Sequence, residues 1–111
     1  IKTACAVLDG ADRKILQWIT DSGLVAIASD NLAIESSSTL GIRHHIGDCG
    51  SMLPIHEHCL FKLGIHLGEL WYLTDLAYYL KEHQRSRFLL TAPPLRLPGA
   101  AGSPVTPIAT V

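Results

Sequence analysis

Behind Asp12, which can cap a helix, the apolar residues Ile15, Leu16 and Ile19 follow helical spacing, and Gly23 stands where a left-handed residue would end it. The spacing predicts a helix over residues 12–22. Residues 24–28, Leu-Val-Ala-Ile-Ala, form a short continuous apolar run, which predicts a strand buried on both faces of a covered sheet. From Glu35 to Met52 the chain changes character, with Ser36-Ser37-Ser38-Thr39 followed by Gly41, Gly47 and Gly50 around His44-His45. That stretch predicts a long loop. Pro54 suits the first turn of a second helix, in which Leu53, His56, Cys59 or Leu60, and Leu63 recur at helical spacing until Gly64. Residues 65–67 predict a short strand. Thr74 can cap a third helix with Leu76, Ala77 and Leu80 on one face and Lys81, His83 and Arg85 near its negative end. Residues 87–91 predict another buried strand, and Pro93-Pro94 with Pro98 to Pro104 predict a rigid and then tightly turning connection. A last strand over 105–111 carries Pro107, which confines it to a sheet edge or a bulge. The order is that of an α/β layer arrangement.

Composition narrows the class further. The chain has 111 residues, which fits a single domain over 1–111, and its 48% hydrophobic and 17% charged residues exclude disorder throughout. A net charge of -1 offers no basic field for a phosphate backbone, so nucleic acid is not an expected partner. No apolar run approaches the ~20 residues of a membrane helix, so no membrane role is expected. The first residue is Ile1, without a Met or a signal-peptide pattern, which leads us to expect a processed or partial chain. Cys5, Cys49 and Cys59 are odd in number and lack metal-ribbon spacing, pointing to a reducing compartment, the cytoplasm.

Six histidines fall between His44 and His83. His56 shares the apolar stripe of the second helix, whereas His58 is turned roughly 200° away at ~100° per residue. A histidine in that position is either a satisfied core residue or a ligand. Glu69 ends the strand that follows this helix, in Leu67-Gly68-Glu69-Leu70-Trp71, among apolar neighbours. Such a carboxylate must be paired, protonated or bound to a cation, and a salt bridge to Arg85 or Arg87 would also satisfy it. Together His56 and Glu69 can supply one nitrogen and one oxygen to a divalent metal, and His44 and His45 could complete the set. His66 alternates outward on its strand and His83 closes a helix, so neither needs a functional role. Cys59 reads as a small core residue. No Gly-x-Ser-x-Gly elbow, phosphate loop or dinucleotide fingerprint occurs.

Several segments, in order and spacing, resemble the C-terminal half of the metal-dependent cyclase family, which includes bacterial kynurenine formamidase and isatin hydrolase. They are Gly23 to Glu35, Leu53-Pro54-Ile55-His56-Glu57, Leu63 to Leu70, Ala92-Pro93-Pro94-Leu95-Arg96 and Gly102 to Pro107. The resemblance runs over residues 14–111 and implies a swivelling β/β/α fold, here its C-terminal portion with a mixed sheet and covering helices. It also implies a hydrolase of a cyclic or N-acyl amide that uses a divalent metal, zinc or manganese. In that family a His of the Leu-Pro-x-His helix and a Glu of the following strand serve the metal site, corresponding to His56, as ligand or proton-transfer group, and Glu69, as ligand. Asp30, Glu35, Pro93 and Pro94 are expected to shape the pocket. The family's main ligand motif, His-x-Gly-Thr-His-x-Asp, is absent from these residues. The expected partners are therefore an amide or lactam substrate, an N-terminal half or second chain, and further copies in a homo-oligomer. The competing expectation is a catalytically silent α/β module for binding or assembly. Residues 1–10 carry no useful resemblance.

Overall fold

A computed structural model of the chain describes residues 7–35, 51 and 53–111. The predicted long loop falls almost entirely outside the described residues, as do His44, His45, Cys5 and Cys49. The chain divides into two compact units between Trp71 and Tyr72.

The first unit opens with Val7 to Asp12. Leu8 pairs with Glu35 in an isolated parallel bridge, its N–H donating to the Ile34 carbonyl at 3.1 Å. Asp9 accepts from the Ala11 N–H at 3.0 Å, tightening a turn that delivers the chain into helix α1, Arg13–Ser22. Asp12 caps α1 by accepting from the Lys14 N–H at 2.8 Å, and Gly23 ends it at φ 70°, as the sequence predicts. Strand β1, Ala26–Ala28, runs parallel to β2, His66–Gly68, with Ile27 opposite Leu67.

Between these strands lies α2, which begins as α-helix at Pro54–His56 and continues as a π-helix over Glu57–Leu63. Its wider i→i+5 winding is not legible from the apolar spacing. The Gly64 N–H reaches the Cys59 carbonyl, Ile65 N donates to the same oxygen at 2.8 Å, and Gly64 sits at φ 70°. The same winding brings Lys62 Nζ to 2.8 Å from Glu57 Oε1, a five-residue spacing. Ile55 and Cys59 are fully buried, while Leu60 and Leu63, placed on the inner stripe by regular helical spacing, are exposed. With Ile19, Ile34 and Ile65 they form the core, against which Leu8, Ile15, Leu16, Ile27 and Leu67 pack.

The expectation that β1 is buried on both faces is corrected. Alternation sends Ile27 inward, but Ala26 and Ala28 are exposed and Val25 is 78% exposed. A strand in a two-stranded pair with one packed face buries alternate residues, whatever the continuity of its apolar run.

The second unit contains α3, Thr74–Glu82, and an antiparallel pair, β3 at Leu89–Thr91 and β4 at Ile108–Thr110. Thr74 is the first helical residue and not the cap, which is Leu73, with no side-chain bond. His83 closes α3, stacking on the Tyr79 ring at 4.0 Å between centroids, its Nδ1 2.9 Å from the Tyr79 carbonyl. Strand β3 is exposed along its whole length rather than buried, because one neighbouring strand and no packed layer accompany it among the described residues. Pro107 lies between the Pro94–Val105 bridge and β4, outside the ladder as its missing N–H requires. The observed class is mixed α/β, and no helix among the described residues is long and apolar enough to cross a membrane.

Gly64 occupies left-handed backbone in open space, so Gly64→Ala meets conformational strain alone. It is expected to lower unfolding free energy by about 1–2 kcal/mol, and Asp12→Ala by about 1 kcal/mol through the lost cap. Urea denaturation followed by circular dichroism measures both; unchanged midpoints would contradict the assignment of these two residues as helix ends.

Candidate metal and catalytic site

Helix α2 starts with an unusual deficit. Its N-cap, Leu53, has no side-chain acceptor, and Pro54 at the first turn has no N–H. The first exposed donors are the N–H groups of Ile55 and His56. Glu35, brought in from twenty residues earlier, accepts both: Ile55 N lies 3.1 Å from Oε2 and His56 N 3.1 Å from Oε1. Its side chain is 1% exposed, and the positive end of the helix faces its charge.

The same Oε1 lies 2.8 Å from His56 Nδ1. A carboxylate has no hydrogen to give, so the ring donates from Nδ1. On the other side of the ring, His56 Nε2 is 3.1 Å from Glu69 Oε1, which also accepts the Ile34 N–H at 3.0 Å. The imidazole is therefore held between two carboxylates, with its own side chain 21% exposed and that of Glu69 30% exposed. Glu35 is the inner wall of the arrangement and Glu69 the wetter one.

Glu69 is aimed by the turn that follows β2. Leu70 adopts φ 58°, left-handed backbone that a leucine seldom takes. It is held there by bonds from Leu70 N to the Asn31 carbonyl at 2.9 Å and from Trp71 N to the Ser29 carbonyl at 3.0 Å. Gly68 lies so close beneath the Trp71 indole that a Cβ there would stand 2.8 Å from ring carbons. Strain and close approach at one turn fix where Glu69 points.

His56 and Glu69, the two site residues expected to meet, do meet. The alternative partners of Glu69, Arg85 and Arg87, are replaced by His56 and the Ile34 backbone. Asp30 is exposed in the bend after β1 and has no side-chain contact to this group. Pro93 and Pro94 belong to the second unit, where Pro94 bridges Val105. Glu35, expected to shape the pocket, is the buried centre of the hydrogen bonding. Gly10 went unnoticed in the sequence. A Cβ there would collide with Glu35 Oε2 and approach Pro54 Cδ at 3.3 Å, so the Asp9-Gly10 turn, an ordinary turn signal, is also a wall of the site.

Nitrogen and carboxylate oxygen suit zinc and manganese alike. With bonds of about 2.0–2.2 Å, two donors at the observed separation can share one ion. Their number does not complete a shell: among the described residues no group of three or more His, Cys, Asp or Glu is arranged to hold a metal. The pair fits part of a divalent site.

No family model matches the chain, and no curated protein does. Among solved structures it is similar to a crystal structure described as a novel cyclase, at 35% identity and a TM-score of 0.70. The likeness covers 90% of this chain but 29% of that one. This relationship to a cyclase supports the coarse part of the family resemblance and the α/β fold, and leaves kynurenine formamidase as a finer expectation.

Beneath the site, Cys59 is fully buried, and burial followed by the nearby Glu35 charge pushes its thiol up from the ordinary value. The unfolded chain then ionises first as pH rises, so the contribution of this group to stability is complete below the ordinary thiol range and is lost as pH climbs through its raised folded value. Cys59 in the native protein is expected to react with a thiol reagent at pH 8 at least about tenfold more slowly than in urea. Equal rates in a labelling time course would contradict its burial.

Proposed function

We propose that this chain contributes to a metal-dependent hydrolase acting on a cyclic or N-acyl amide. The carrying observation is the convergence of His56 Nε2 and Glu69 Oε1 at 3.1 Å, with Glu35 holding the far side of the ring. Further support is the likeness to a cyclase. Two lone-pair donors so close together repel each other unless a proton or a cation lies between them.

His56 and Glu69 would hold the ion as one nitrogen and one oxygen ligand. A bound divalent ion lowers the pKa of its water toward neutrality and polarises a carbonyl oxygen, the two requirements of amide hydrolysis. Glu69, the more exposed carboxylate, faces the side from which solvent and substrate arrive. His56 can instead move a proton at Nε2, since Nδ1 is committed to Glu35. Glu35 bonds away from that side and keeps the ring fixed. Zinc and manganese remain equivalent choices for this pair. The chain spans 29% of the cyclase it matches, and in this reading the missing ligands come from an N-terminal half, a second chain or another copy in a homo-oligomer.

The shortage of ligands among the described residues favours a second reading, a catalytically silent module for binding or assembly. Elemental analysis of the intact protein separates the two: stoichiometric zinc or manganese supports the hydrolase, and a metal-free species supports the silent module.

In the intact protein, His56→Ala and Glu69→Gln are each expected to reduce metal-dependent amide hydrolysis beyond the roughly 10–100-fold typical of residues behind a ligand. Turnover of an amide or lactam substrate, measured alongside metal content, checks this. Unchanged turnover at full metal loading would overturn it.

A further inference from the structure

Glu35 satisfies two backbone donors at the start of α2, and that alone would explain a capping carboxylate. Its Oε1 does more than a cap requires, because it takes the backbone N–H and the ring Nδ1 of the same residue, at 3.1 and 2.8 Å. Bonding both ends of one side chain to one oxygen removes rotation about its χ angles. Nor can the carboxylate itself turn. Oε2 is tied to Ile55 N, Gly10 and Pro54 close against it, and the side chain is 1% exposed.

We propose that Glu35 is a positioning residue that keeps a proton on His56 Nδ1, so that Nε2 is the ring nitrogen left to share a proton or a cation with Glu69. The physical basis is that a carboxylate can accept but not donate, so a ring with a bare Nδ1 would set lone pair against lone pair at 2.8 Å, and by the same rule a proton or a cation must lie between Nε2 and Glu69 Oε1 at 3.1 Å. An amide at position 35 has no such preference, because it can accept from Nδ1–H or donate to bare Nδ1. The metal-binding consequence rests on the function proposed above; the tautomer assignment does not.

The test is histidine-labelled 15N NMR of the intact protein without metal at about pH 9, above the ordinary imidazole range, together with Zn2+ titration by calorimetry. Wild-type His56 is expected to show a protonated Nδ1. Glu35→Gln is expected to populate both tautomers and to weaken Zn2+ binding by about 10–100-fold. Gly10→Ala leaves every polar group in place but presses on Oε2, and is expected to shift the tautomer ratio in the same direction. A wild-type ring with a bare Nδ1 at that pH would overturn the proposal. So would a folded Glu35→Gln protein that keeps the wild-type tautomer and affinity, which would reduce Glu35 to a helix cap. Should Glu35→Gln not fold, the wild-type spectrum and Gly10→Ala decide. Should the wild type bind no Zn2+, the hydrolase reading fails while the ring spectra still decide the role of Glu35.

Discussion

A carboxylate taken out of water carries a desolvation cost of several kcal/mol, and it persists only where fixed donors replace the lost solvent. Glu35 has three, two from the backbone at the start of α2 and one from the ring of His56. Bonds of this kind to a charged group contribute about 1.5–3 kcal/mol each. The surrounding structure follows from that requirement. Glycine is needed at position 10 because the carboxylate fills the space of a side chain there. The Leu8–Glu35 bridge brings the strand-like end of the Ile34 segment into position, and Ile34, Ile55 and Cys59 close the apolar shell around it. Without the Glu35 carboxylate the helix start and the ring would each lose a partner at once.

What could be read in advance divides along a physical line. Asp12, Gly23 and Gly64 act within a few residues of themselves, so the ends of α1 and the end of α2 are legible from local chemistry. His56 and Glu69 are legible because a polar group on an apolar stripe must be satisfied somehow, and each is the other's solution. Glu35 is legible only through the family resemblance, as a pocket residue: it stands at the edge of a polar stretch, and its burial depends on Gly10 and Pro54 arriving from both directions along the chain. The π winding of α2 was hidden for a related reason. Apolar spacing around Cys59, Leu60 and Leu63 is compatible with a regular helix, and the choice is made by the Cys59 carbonyl receiving both Gly64 and Ile65. Burial was overestimated for β1 and β3, because an apolar run reports what a strand can bury and not how many layers accompany it.

The two units differ in how they are held. The first has a dry centre of isoleucines and a cysteine around one charge, whereas every residue of the second is exposed or half-buried, and its order rests on α3, one strand pair and local bonds such as Leu95 N to Ser103 Oγ at 2.8 Å. Leu89, Leu95 and Ile108 remain more than half exposed. The candidate chemistry belongs wholly to the first unit, which combines a positioned ring with an incomplete set of donors. The likeness to a cyclase spans 29% of that protein's length.

The parallel pairing of β1 with β2 has a kinetic consequence. Its register joins Ala26 to His66 and Ile27 to Leu67, contacts that no local turn can nucleate, so the chain must close a long loop before any of them is rewarded. Glu69 follows directly after β2, and its bond to the Ile34 N–H spans 35 residues. The geometry around His56 is therefore completed only when this ladder zips, however early α1 and α2 have formed. Any fluctuation that opens the ladder releases Glu69 as well, which makes amide exchange along β2 a clock for how long the site stays assembled.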